Sequence, residues 1–189
     1  DIFSALTISK SLPNNTGTVI IKHANPCGVS IKKNHLQSYV AALKCDPISA
    51  FGGVVSCNYK VTKTIAEELN KLFLEVVIAN NFDADALKIL KTKKNLRLID
   101  ASKYIFKEDL KFISNNEEIL VQSEDIKKFD IKDFKVVSKK KPNTKQMKNL
   151  LFAFNICRYV KSNAIVLASN ETTTGIGSGQ PSRLDSCKI

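Results

Sequence analysis

The sequence predicts a layered α/β domain: a mixed β-sheet with flanking helices. Three observations lead there. Short runs of β-branched residues end in turn-forming Gly, Pro and Asn; stretches between them repeat apolar residues at steps of three and four; and the segment after the longest helix reads as a strand and its antiparallel return, which a purely parallel sheet would not contain.

In chain order, a helix is predicted over residues 2–12, then a strand over the apolar run Thr18-Val19-Ile20-Ile21. That strand closes on Lys22-His23 and opens into a turn, Ala24-Asn25-Pro26-Cys27-Gly28, because Asn-Pro and Gly interrupt regular structure. A helix over 36–44 and a strand over 54–56, entered through Gly52-Gly53, follow. Ile65, Leu69 and Leu72 place a helix over 62–73 ahead of a strand over 75–79, and an acidic start marks a helix over 83–91 ahead of a strand over 96–99. After Asp100 the texture becomes polar and charged, with strands predicted over 118–122 and 134–138. The clearest helix spans 144–160, where Met147, Leu150, Leu151, Phe154, Cys157 and Val160 recur behind a Thr144 cap, following Pro142. It should cover the sheet. A strand over 164–168 then turns near Asn170-Glu171 and returns through 172–179.

At 189 residues the chain fits one domain with a full core, and 43% hydrophobic with 25% charged residues is globular composition. No apolar stretch approaches the roughly 20 residues that span a bilayer, and Asp1-Ile2-Phe3-Ser4 resembles neither a secretion signal nor a start. The net charge of +11 raises nucleic-acid binding, yet the lysines are spread from Lys32 to Lys141 and no aromatic platform is interleaved with Arg. Small anions are the better match to so diffuse a field. Five cysteines, an odd number without Cys-x-x-Cys spacing, point to free thiols in a reducing, cytoplasmic setting and away from a disulfide framework or structural zinc.

Four segments can carry chemistry. Lys22-His23 sets a cation beside an imidazole, whose unperturbed pKa of roughly 6.5 suits proton transfer near neutrality. In Asp46-Pro47-Ile48-Ser49-Ala50-Phe51-Gly52-Gly53, Gly52 allows close approach to the backbone and Phe51 can wall a planar ring; a tight turn before a sheet is the alternative. In Lys161-Ser162-Asn163, the Asn163 amide can donate to a developing oxyanion or accept from an amine, and it can equally cap the preceding helix. Gly175-Ile176-Gly177-Ser178-Gly179 lacks dinucleotide-fingerprint spacing, so its glycines are read as a flexible segment delivering Gln180, Ser182 and Arg183, the last suited to a carboxylate or phosphate. His23 followed by Pro26-Cys27 faintly echoes the zinc deaminases. The Glu and second Cys are absent, so zinc is not expected.

Taken together, Val19 through Gly28, Asp46 through Gly53, Phe73 through Ala79, Leu87 through Leu90, Lys93 through Arg97, and Val160 through Val166 onward to Arg183 resemble the AICAR transformylase family. These are the formyl-transfer portions of bifunctional purine-biosynthesis proteins that also carry IMP cyclohydrolase. The resemblance implies a cytidine-deaminase-like fold without zinc, in a homodimer with shared active sites. The implied reaction moves a formyl group from 10-formyltetrahydrofolate, as cosubstrate, to the 5-amino group of AICAR; a potassium ion is compatible, and neither nucleic acid nor membrane is an expected partner. By similarity His23 is the base, Lys22 stabilises charge near the formyl and leaving groups, and Asn163 orients the formyl. Arg183, Phe51, Gly52 and Glu75 line the substrate cleft. Residues 1–189 then constitute the first part of the transformylase domain, an internal piece without the cyclohydrolase domain or the transformylase's C-terminal half, and inactive alone.

Overall fold

A computed structural model describes residues 1–105, 110–125, 127 and 129–189. Its elements are α1 (Ile2–Ser11), β1 (Gly17–Lys22), β2 (Asn25–Ile31), α2 (His35–Leu43), β3 (Gly53–Val61), α3 (Lys63–Leu69), β4 (Leu74–Phe82), α4 (Ala84–Leu90) and β5 (Arg97–Asp100). There follow β6 (Leu110–Asn115), β7 (Glu118–Ser123), a 3₁₀ turn (Ile131–Asp133), α5 (Thr144–Cys157), β8 (Ile165–Ser169), β9 (Thr172–Gly177) and α6 (Arg183–Lys188). Seven strands form one sheet in the order β5-β4-β3-β1-β2-β9-β8. The pairs β3/β4 and β4/β5 are parallel and the others antiparallel, so the sheet is mixed as predicted.

Strand alternation sorts the core into two layers. Ile20, Val55, Cys57 and Val77 face Tyr39 and Ala42 of α2, Ile65 and Leu69 of α3, and Leu90 of α4. Val19, Ile21, Val54, Val76 and Ile78 face Leu6 and Ile8 of α1 and Phe152 and Ile156 of α5. The long helix does cover the sheet. Its N-cap is Asn143, whose side chain accepts from Gln146 N while Gln146 returns a bond to Asn143 N; Thr144 is the first helical residue and not the cap.

Three other expectations change. Residues 25–28 are strand, because the turn falls two residues earlier: Lys22 pairs with Asn25, and His23 and Ala24, at φ 50° and 62°, form a two-residue turn with both central residues in the left-handed region. Pro26 is tolerated because β2 and β9 pair through the backbone only at Ser30 and Thr172; nearer Pro26, the Thr173 hydroxyl bonds the backbone of Val29 instead. Residues 134–138 form no strand. Phe134 packs edge-on against Phe154 at 5.1 Å, so its apolar character serves an aromatic contact and not a ladder. Finally, α3 stops at Leu69, and β6 and β7 form a separate two-stranded sheet exposed at all twelve positions.

Candidate active site

The ladder registers bring the candidate residues to one end of the large sheet. Strand β1 ends there at Lys22, β3 and β4 begin there at Gly53 and Leu74, and β8 begins there at Ile165, opposite Gly177 at the end of β9. Open parallel sheets usually gather ligands at their carboxyl ends. Here β1 runs against β3, β4 and β5, so the carboxyl end of β1 coincides with the amino ends of the parallel strands. Antiparallel order thus puts the candidate residues at the opposite end of the parallel strands.

Lys22 leaves β1 half-buried and turns across to the neighbouring loop, donating from Nζ to the carbonyls of Phe51 and Gly52, both at 3.0 Å. Gly52 sits at φ 66°, donates its N–H to Phe73 O at 2.8 Å, and has no room to spare: a Cβ there would lie 3.0 Å from Lys22 Nζ. A side chain would be strained at this φ and would crowd the ammonium. Phe51 is exposed and tilts against Phe73 with ring centroids 5.2 Å apart, and the exposed Glu75 stands just inside β4. An ammonium has three hydrogens, so Lys22 keeps one after the two carbonyls.

His23 projects from the tight turn into solvent, and its imidazole makes no hydrogen bond with a described residue. Its backbone is held on both sides: Asn25 Nδ2 donates to His23 O at 3.1 Å, and Ala24 N donates to Asp1 Oδ1 at 2.6 Å. Asn25 Oδ1 also accepts from Lys161 N at 3.4 Å, linking the turn that carries His23 to the loop that carries Asn163.

Asn163 is fastened at both its backbone and its carboxamide. Its N–H donates to Gln180 O at 3.1 Å, its Nδ2 donates to Gln180 O at 3.0 Å and Pro181 O at 2.8 Å, and its carbonyl accepts from Ser186 Oγ at 2.6 Å. It follows a cis Ser162–Asn163 peptide and precedes β8 by two residues. Gly175 and Gly177 are strand residues, not flexible loop, and Gly177 is where α6 presses on the sheet: a Cβ there would lie 1.7 Å from Ser186 O. Arg183 is the first residue of α6, exposed and without a described partner. The Ser182 side chain caps that helix, accepting from Asp185 N at 3.1 Å.

Cys27, three residues beyond the turn, is held as the neutral thiol near neutral pH. Burial, aided by Asp46 and Cys45, pushes its thiol up to about 12. Among the described residues, no group of three or more His, Cys, Asp or Glu is placed to hold a metal ion, and no helix is long and apolar enough to cross a membrane.

Sequence reasoning missed Asn25, Ser186 and the α6 helix. A signal for the last was present: Ser182-Arg183-Leu184-Asp185 has Ser-x-x-Asp spacing, a helix-start pattern.

Comparison with known proteins covers the whole chain. A family model described as "AICARFT/IMPCHase bienzyme" matches residues 1–189. The bifunctional purine biosynthesis protein PurH of Aquifex aeolicus is 43% identical over 188 residues, covering 100% of this chain and 36% of that protein. PurH of Parvibaculum lavamentivorans is 45% identical, covering 90% and 32%, and PurH of Acetivibrio thermocellus is 41% identical, covering 100% and 37%. The chain spans about a third of the length of these curated relatives. A solved structure, Acinetobacter baumannii RibD, form 1, aligns with a TM-score of 0.39 at 18% identity over 54% of this chain and 34% of that one, too slight a likeness to bear weight. A match along the whole chain, together with relatives above 40% identity, places this protein in the AICARFT/IMPCHase bienzyme family.

Proposed function

We propose that this chain carries part of a formyltransferase site of purine biosynthesis, moving the formyl group of 10-formyltetrahydrofolate to the 5-amino group of AICAR to give FAICAR. The observation that carries this reading is the placement of Lys22, His23 and Asn163 at one end of the sheet, with the Asn25 side chain spanning from the turn of His23 to the loop of Asn163. An aromatic amine is a weak nucleophile, so transfer needs a base for its proton and a cation for the charge gathering on the formyl oxygen. As the amine nitrogen bonds to the formyl carbon and the carbon–N10 bond of the folate breaks, His23 takes the amine proton and N10 receives one. Lys22 directs its remaining hydrogen at the formyl oxygen, and Asn163 orients the reacting groups. Arg183 anchors an anionic end of nucleotide or folate, while Phe51, Gly52 and Glu75 border the base.

The same reading includes a cytidine-deaminase-like fold that works without zinc, residues 1–189 as the first part of the transformylase domain, and a homodimer with shared sites. Potassium is compatible with it as an accessory ion. In the full-length protein, His23→Ala should abolish formyl transfer while AICAR still binds, because a base acts mainly in the transition state. Equal turnover in variant and parent would refute the role. The competing function is a basic nucleotide- or nucleic-acid-binding module in which Lys22, His23 and Arg183 merely hold phosphate; RNA binding with a steep salt slope and no AICAR binding would establish it instead.

A further inference from the structure

We infer that Asn163 acts as a hydrogen-bond acceptor that grips an N–H of the incoming amine, and not as a donor to the formyl oxygen; this rests on the formyl-transfer reading above. A carboxamide nitrogen has two hydrogens. Both are committed within the protein, to Gln180 O at 3.0 Å and Pro181 O at 2.8 Å. Carbonyl oxygens only accept, so turning the carboxamide over would set its oxygen against two others; the chemistry of the partners therefore fixes which atom is nitrogen. Oδ1 is left without a partner among the described residues.

An unpartnered carboxamide oxygen can receive a hydrogen but has none to give. Two substrate groups change during transfer: the amine, which bears N–H donors, and the formyl oxygen, which gains negative charge. Oxygen beside a developing oxyanion is repulsive, so Oδ1 belongs with the amine. The oxyanion is left to the third hydrogen of Lys22, whose other two are held by Phe51 O and Gly52 O.

Rigidity makes this assignment a matter of selectivity. Ser186, 2% exposed on α6, donates to Asn163 O at 2.6 Å, and α6 lies so close to β9 that Gly177 has no space for a side chain. Ser186 is thus a positioning residue for Asn163. An acceptor fixed in this way favours a nucleotide with an amine over one without it, before any formyl donor arrives.

The test is calorimetric binding to the full-length protein without folate, comparing AICAR with its 5-deamino analogue. The parent should prefer AICAR by about tenfold, the size of one net hydrogen bond. Asn163→Ala should bring the two within about twofold by weakening AICAR alone. A variant that keeps the full preference, or that loses turnover with AICAR affinity unchanged, overturns the acceptor role. Should Asn163→Ala fail to fold, Ser186→Ala decides: the preference should narrow about threefold and return in Ser186→Thr, and an unchanged preference overturns the proposal. A parent that binds neither nucleotide refutes the formyl-transfer reading itself.

Discussion

Asn58 offers the sharpest test of how the site-bearing strands are held. It sits on β3, 6% exposed, with all four of its hydrogen-bonding positions filled. Oδ1 accepts from Thr16 N at 2.9 Å and Gly17 N at 2.7 Å, and Nδ2 donates to Ser9 O at 3.2 Å and Pro13 O at 3.0 Å. One side chain therefore joins the end of α1 to the start of β1, the strand that presents Lys22. In Asn58→Ala, Thr16 and Pro13 lie far enough out to recover water and Ser9 O keeps Leu12 N at 3.4 Å, whereas Gly17 N is buried. One stranded buried group costs about 1–3 kcal/mol, and the lower half applies if a water enters the vacated volume. With a urea m-value of about 2 kcal/mol/M, the midpoint should fall by at least about 0.5 M. A shift under about 0.3 M at unchanged m would refute the view that this quartet of bonds is a major fastening.

Four further outcomes follow from other features. Gly177→Ala should displace α6, lower the melting temperature by several degrees and weaken AICAR binding, because its Cβ would lie 1.7 Å from Ser186 O; an unchanged melt would contradict the close approach. Gly52→Ala should cost about 1–2 kcal/mol from its φ of 66° and also push on Lys22, so a stability loss without an activity loss would argue against the Lys22 role. Burial raises Cys27 and Cys57 from an ordinary 9.0 to about 12, so the folded form keeps protons that the unfolded form loses; stability is whole below pH 9 and should fall between pH 9 and 12 by up to about 1.4 kcal/mol per pH unit for each, and a shallower alkaline limb in Cys27→Ala/Cys57→Ala, where buried Tyr39 and Tyr59 still resist ionisation, would support it, whereas a flat limb in the parent would exclude it. The β6–β7 hairpin exposes Leu110, Phe112, Ile119 and Val121, so the 189-residue chain should associate in light scattering, and Phe112→Lys with Ile119→Lys should restore a monomer.

What was legible in the sequence was whatever repeats or alternates. The apolar steps of α5 and the β-branched runs of β1, β3, β4 and β8 specify type and placement directly, because their side chains face a core. Strand β2 was hidden by Asn25-Pro26 and Gly28, which signal a turn locally. Their actual reasons are tertiary: Pro26 lies where backbone pairing to β9 lapses, and Gly28 lets α2 approach, since a Cβ there would lie 2.1 Å from Ala42 O. His23 and Ala24 carry no Asn-Gly or Asp-Gly turn signal, and the surrounding ladder together with the Asn25 and Asp1 side chains holds them in left-handed backbone. At the candidate site, residue types suggested which side chains carry chemistry. They could not show that the two amide hydrogens of Asn163 are already engaged by a loop seventeen and eighteen residues away.

The two-residue connection between β1 and β2 also governs how this end of the molecule can diverge. A loop of that length has no slack: one inserted residue would offset Lys22 from Asn25 and shift the pairing between the strands, sending Val19 or Val29 toward the wrong layer. Lineages can therefore alter the chemistry here by exchanging side chains on a fixed frame, while the β6–β7 region, with few ties to the sheet, is free to lengthen or shrink.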